Sequence, residues 1–303
     1  MSQRTDFVSV RQSGLPFDTI DEVKAALIGE GYLADQGLAA AILLALKMGR
    51  PLLLEGEAGV GKTEVAKALS SILSAELIRL QCYEGIDASQ ALYEWDYGRQ
   101  LLFARALQEG EIDPERRVAQ LYGPDFLLER PLLKAVRAGS SAVLLIDEVD
   151  RADDEFEAFL LEILSDFSVT IPELGTVHAK TPPAVILTSN RTRELHDALK
   201  RRCLYHWIGF PELEREVEII RMRASGVSDG LARSVAVAIS RLRNLDLIKP
   251  PGASEAIDWA RALEFLGAET LDTEAGRVTL GWAVKNHDDL RLVEPLLETI
   301  TSG

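Results

Sequence analysis

The chain has 303 residues, 47% of them hydrophobic, which is enough for about two domains with sizeable cores. Its 33 Lys and Arg against 48 Asp and Glu leave a formal net charge of −15, a field that opposes nonspecific contact with nucleic acid or anionic membrane. Cys82 and Cys203 stand far apart outside any C-x-x-C pair, and the four histidines lack ligand spacing, so we expect a reduced, cytoplasmic chain with two buried thiols and no protein-bound zinc.

The first residues show no apolar signal region, and the longest apolar stretch, 38–46, is too short to cross a bilayer, so no stable membrane insertion is expected. A short amphipathic helix at 20–28 precedes a buried helix at 38–46 that stops at Gly49. The apolar run 51–55 reads as a strand, and 64–73 has the composition and spacing of a helix. Between them lies Gly56-Glu57-Ala58-Gly59-Val60-Gly61-Lys62-Thr63, which fits G-x-x-x-x-G-K-[ST]. Glycines let backbone N–H groups turn inward around phosphates, and the new helix, opening with Glu64, aims its positive dipole end at them. Lys62 would pair with the β- and γ-phosphates of ATP, and the Thr63 hydroxyl would ligate Mg²⁺.

A second strand follows at 77–81. The stretch 83–131 is too long for a plain connection and holds four of the six tyrosines, so it carries an inserted substructure, either a partner surface or packing against the sheet. A helix at 132–138 leads to a strand at 142–146 that ends in Asp147-Glu148. An acid at the C-terminal end of a buried strand lies where ligands bind in such sheets. Asp147 would hold Mg²⁺ through its water shell, and Glu148 would orient and deprotonate the attacking water.

A helix at 153–166 and a hairpin at 168–177, turning at 173–175, come next. The strand 184–188 ends in Thr188-Ser189-Asn190. Asn190 has two readings: a contact to the γ-phosphate or lytic water, or a turn or N-cap residue. A helix at 194–201 carries Lys200, Arg201 and Arg202 at its end, before a strand at 204–208. These cations either complement the helix dipole or supply an arginine finger to a neighbouring subunit. Arg151, Arg191 and Arg193 flank the motifs, as surface salt bridges or as contacts to an adjacent subunit.

Strands alternating with helices, nearly all continuous apolar runs, predict a parallel sheet covered on both faces over 1–210. From 211 to 303 only helices are expected, at 213–223, 231–242, 254–266 and 273–284. The fold class is therefore an α/β P-loop NTPase with a five-stranded parallel sheet and a small all-α lid.

The ordered set of phosphate loop, Asp147-Glu148, Asn190, basic helix end and helical lid resembles the AAA+ ATPases, from about residue 20 to the C-terminus. Within that superfamily 83–131 looks like a helix-2 insert and 168–177 like a pre-sensor hairpin, both features of the MoxR family. The segments L-I-R-L-Q-C-Y-E-G, F-L-L-E-R-P-L-L, I-D-E-V-D-R-A-D-D-E-F-E-A-F-L-L-E-I-L-S-D-F and T-S-N-R-T-R-E-L-H-D-A-L-K-R-R-C-L-Y-H-W are similar to its CoxD-like subgroup. The resemblance implies an ATP- and Mg²⁺-dependent ATPase in a homo-oligomeric ring, a hexamer, with Arg202 favoured over Arg201 as the finger. It also implies a chaperone that matures a metalloenzyme, such as the copper–molybdenum site of a carbon monoxide dehydrogenase or a related molybdenum hydroxylase, with a von Willebrand A-domain partner, while the acidic charge and the lack of a basic-aromatic strip argue for no nucleic acid. One departure is plain: 252–256 reads Gly-Ala-Ser-Glu-Ala where many relatives place a second-sensor Arg, and Arg261 lies about two turns further on. The competing classes are a nucleic-acid motor or loader and a nucleotide-gated scaffold with little turnover.

Overall fold

The computed structural model describes residues 14–106 and 120–302. The apolar runs become strands β1 (Leu52–Gly56), β2 (Glu76–Gln81), β3 (Tyr93–Trp95), β4 (Leu127–Glu129), β5 (Ala142–Asp147), β6 (Ser168–Ile171), β7 (Gly175–His178), β8 (Ala184–Ser189) and β9 (Leu204–Ile208). Five of them form the core sheet, in the order β2-β5-β8-β1-β9. β1, β5 and β8 are buried along their whole lengths, which is why their sequences are apolar without alternation. Parallel neighbours need long crossovers, and the helices Lys62–Ile72, Pro131–Ala138 and Asp154–Asp166 supply them. The register sets Gln81 beside Asp147 and Glu55 beside Ser189, so the polar strand ends share one edge of the sheet.

β3 and β4 pair antiparallel, Tyr93 opposite Glu129, and the helix Tyr97–Ala106 lies between them in sequence. Part of the predicted insert, 107–119, lies outside the described residues. Trp95 is buried and takes Tyr93 and Tyr122 edge-on, with ring centroids 6.2 and 5.2 Å away, whereas Tyr83 and Tyr97 are exposed. The tyrosine-rich stretch thus divides between packing and surface. β6 and β7 form the expected hairpin, Ser168 opposite His178.

The chain forms two compact units. A sheet unit takes the described residues up to Ala26, Asp35–Glu55 and Ala66–His206; a helical unit takes Leu27–Ala34, Gly56–Val65 and the chain from Trp207 onward. One of the two short stretches that join the helical unit, Gly56–Val65, contains the whole phosphate loop, 56–63.

From Leu213 the elements are helices: Leu213–Arg223, Asp229–Arg243, Ala253–Phe265 and Thr273–Ala283, then His287–Val293 and Leu297–Thr301, which the sequence pattern did not announce. Trp259 is fully buried among them, and its indole N–H donates to Thr279 Oγ1 at 2.7 Å. Arg243 meets Glu216 through two parallel 2.7 Å hydrogen bonds, both side chains nearly inaccessible, and stacks over Phe210 at 4.4 Å from the ring centre. Such a bidentate pair fixes geometry as well as charge.

The helix expected at 194–201 instead spans Asp197–Arg202. The N–H of His196 donates to Glu157 Oε2 at 2.9 Å, and that tertiary bond delays the helix while Arg202 is drawn into it.

Candidate functional site

β1 ends at Gly56, where the glycine-rich loop begins. Gly59 and Gly61 have φ of 75° and 94°, values that L side chains rarely adopt, so the two glycines let the loop curl. Lys62 opens the helix Lys62–Ile72 and is buried, its Nζ donating to the carbonyls of Gly56 at 2.7 Å and Glu57 at 2.6 Å. The ammonium therefore lies inside the curve of the loop. Glu64, in the first helical turn, pairs with Arg223 at 3.1 Å.

In the sheet unit one hydroxyl meets both residues of the acidic pair at the end of β5. Thr188, near the end of β8, donates its Oγ1 to Asp147 Oδ1 at 2.5 Å and accepts the N–H of Glu148 at 2.9 Å. The other oxygen of Asp147 accepts from Arg79 Nε at 3.0 Å and Nη2 at 2.5 Å. Glu148 has a φ of 54°, a conformation seldom held by a residue with a Cβ, and a sign of local strain. Its side chain is part-exposed and lies 4.0 Å from Arg151. The N–H of Cys82 donates to the Asp147 carbonyl at 2.9 Å, and burial, with the nearby acids adding to it, pushes the Cys82 thiol up to about 12.

Asn190 does not cap a helix: His196 occupies the N-cap of the next one, with no side-chain cap bond. Its position is set through Asp150, a buried carboxylate that accepts the N–H of Asn190 at 3.2 Å and the N–H and Oγ1 of Thr192, both at 2.8 Å. Arg193 donates to the Ala152 carbonyl at 2.9 Å and pairs with the fully buried Glu157. Glu157 therefore ties the helix Asp154–Asp166 both to Arg193 and to the start of the helix carrying the basic end. Arg151 and Arg191 also find acids within the chain, Glu148 at 4.0 Å and Glu194 at 3.7 Å.

Of the three cations ending the helix Asp197–Arg202, Lys200 is paired with Glu194 at 2.7 Å, a contact that raises its pKa. Arg201 and Arg202 are exposed, and neither has an ion-pair partner among the described residues. Their backbone carbonyls are clamped instead, Arg50 donating to Arg201 O at 2.5 Å and to Arg202 O at 3.2 Å. Sequence reasoning missed Arg79, Thr188, Asp150, Glu157 and Arg50; Thr188, in the quoted Thr-Ser-Asn run, was the one with a local signal.

The chemistry of these donor sets fits phosphate and a hydrated cation. A curled glycine loop opening a helix, with an ammonium inside it, is a phosphate cradle. Asp147 is an acid fixed at its strand end by Thr188 and Arg79, and a carboxylate so oriented suits a water-mediated contact with Mg²⁺.

Sheet order, glycine loop and paired strand-end acids define a P-loop NTPase of the AAA+ class. Residues 51–203 match the AAA domain (dynein-related subfamily), and the chain belongs to that family. It is 23% identical over 255 residues to the protein NorQ of Paracoccus denitrificans, covering 82% of this chain and 80% of that one. It is 26% identical over 190 residues to the protein YehL of Escherichia coli K12, covering 59% of this chain but only 47%, about half, of YehL. Among solved structures, a point mutant of RuvB from Thermotoga maritima aligns over 97% of this chain and 82% of that one at 19% identity, with a TM-score of 0.50. That likeness concerns the fold alone. No helix among the described residues is long and apolar enough to cross a membrane.

Proposed function

We propose that the chain is an ATPase subunit of a homo-oligomeric ring, a hexamer, in which ATP is hydrolysed where adjacent copies meet. The observation that carries this reading is how the charged groups are held: Thr188 holds the Asp147 carboxylate and the Glu148 backbone N–H, while Arg201 and Arg202 stand exposed without an ion-pair partner among the described residues. Backbone N–H groups of residues 56–64 and the Lys62 ammonium hold the phosphates. Thr63 and Asp147 would hold Mg²⁺, which when bound neutralises charge on the phosphate oxygens. Glu148 takes a proton from the attacking water, and Asn190 orients that water or the γ-phosphate. Arg202, flanked by Arg201, serves the neighbouring copy, where such a finger is worth roughly three to five orders of magnitude in rate.

The test is a set of three variants. Lys62→Ala is expected to weaken ATP binding, Arg202→Ala to spare binding and abolish turnover, and Glu148→Gln to stop turnover. Mixing Arg202→Ala with Glu148→Gln restores part of the activity when sites are shared; no recovery in mixed assemblies refutes the trans finger.

The finer reading is a MoxR-type, CoxD-like chaperone that matures a metalloenzyme in the cytoplasm with a von Willebrand A-domain partner, the client being a copper–molybdenum carbon monoxide dehydrogenase or a related molybdenum hydroxylase. The four quoted segments support it, as does similarity to NorQ over most of both chains. Capture with the Glu148→Gln variant should retain the client. Hydrolysis stimulated by DNA, with a steep salt dependence, would point to a nucleic-acid motor instead.

A further inference from the structure

The helix Ala253–Phe265 carries no arginine in its first turn, yet it is joined to the phosphate loop within the helical unit. The backbone N–H and Oγ of Ser254 both donate to the carbonyl oxygen of Gly59, at 3.2 and 3.3 Å. Gly252, the N-cap of this helix, comes so close that a Cβ there would stand 2.7 Å from Ala58 O and 2.7 Å from Gly59 Cα. A Cβ on Gly59 would in turn meet Glu255 Oε2 at 2.7 Å, and that oxygen is already fixed by the N–H of Gly252 at 2.9 Å. Arg261 is turned elsewhere, donating to the Arg223 carbonyl at 2.5 Å.

We infer that Ser254 and Gly252 are positioning residues for the phosphate loop, acting through the Gly59–Val60 peptide; the inference rests on the proposal that this loop binds nucleotide. The peptide unit is planar and trans, so its C=O and N–H point in opposite directions. Two donors on the Gly59 oxygen fix that plane and turn the Val60 N–H away from Ser254. Loop N–H groups are what bind phosphate in such a cradle, and a fixed one is preorganised. The Gly252–Gly59 contact keeps the helix near enough for the bonds to form; a side chain at Gly252 would force the backbones apart, and one at Gly59 would displace the Glu255 carboxylate and crowd Gly252 Cα at 3.2 Å. The helix thus senses the loop through backbone contact and hydrogen bonds in place of a charged side chain. Because coupling is reciprocal, a ligand that holds the loop also holds the first turn of the helix.

The experiment compares Ser254→Ala, Ser254→Thr, Gly252→Ala and Lys62→Ala. The readouts are equilibrium binding of a fluorescent ATP analogue and amide hydrogen exchange over residues 56–65 in nucleotide-free protein. Ser254→Ala should weaken binding roughly three- to tenfold, the worth of one hydrogen bond, and speed exchange across the loop. Ser254→Thr keeps the hydroxyl and should restore both. Gly252→Ala should weaken binding more than Ser254→Ala does. Should Gly252→Ala unfold the helical unit, the Ser254 pair still decides the matter. Wild-type binding and exchange in Ser254→Ala and Gly252→Ala, with binding lost only in Lys62→Ala, would overturn the positioning role and leave the nucleotide reading standing. Undiminished binding in Lys62→Ala would instead remove that reading itself.

Discussion

The sheet unit and the phosphate loop of the helical unit hold their polar groups in place by opposite means. In the sheet unit, buried carboxylates do it: Asp150 gathers the Asn190–Thr192 turn, Glu157 holds Arg193 and His196, and Asp147 shares Thr188 with Glu148. In the phosphate loop, backbone does it: Lys62 bonds to loop carbonyls, and Gly59 and Gly252 meet with no side chain between them. The first design is vulnerable to loss of a charge, the second to gain of volume. Charge-assisted bonds at a buried acid are stronger than neutral ones, and their donors are costly to leave unpaired.

The largest effect follows at Asp150. Asp150→Ala strands two backbone N–H groups and leaves the Thr192 hydroxyl only its longer bond, to the Asp150 carbonyl at 3.3 Å, where the native chain has a carboxylate that is 2% exposed. A stability loss of about 2–4 kcal/mol is expected by chemical denaturation, with turnover falling even where the protein stays folded. A change below about 0.5 kcal/mol would mean that the turn is held by something other than this acid, and the contrast between the two regions would lapse.

Thr188→Val comes next. The replacement keeps shape and removes the hydroxyl that joins Asp147 to the Glu148 backbone, costing about 1–2 kcal/mol in stability. Turnover should fall by more than that energy implies, since Glu148 loses the bond that supports its left-handed backbone. Thr188→Ser should recover most of the rate; a Ser variant no better than Val would assign the effect to packing.

The legible and illegible parts of the molecule divide along the same line. The phosphate loop, the five core strands as runs along the chain and the acids at the end of β5 could be read because each is local: eight consecutive residues, or an apolar run with its terminal acid. The carboxylate network was hidden because its members are about 40 positions apart, as with Thr188 and Glu148 or Thr192 and Asp150. The helices His287–Val293 and Leu297–Thr301 were missed for a related reason. The first is short and polar, opened by Asn286 and tethered by Asp289, which accepts the N–H groups of Ile248 at 2.8 Å and Lys249 at 2.9 Å. The departure at 252–256 was visible, but its consequence needed the close approach of two glycines that no spacing reveals.

At neutral pH the smallest effect is expected at the two thiols, and it sharpens the comparison most directly. Burial pushes both Cys82 and Cys203 up to about 12, so at pH 8 only about one in ten thousand of either is thiolate. A thiol reagent should therefore leave the folded chain unlabelled for as long as it stays folded. In the unfolded chain these groups ionise near pH 9, so native stability should fall as pH rises from about 9 towards 12, by up to about 1.4 kcal/mol per unit for each thiol. Cys82 donates its N–H to the carbonyl of Asp147, whereas Cys203 follows the helix whose end Arg50 clamps. If Thr188→Val loosens the acids locally, Cys82 should become labelled while Cys203 stays protected. Equal labelling of both would mean that the whole sheet opens together, and that the carboxylate cluster has no stability of its own to lose.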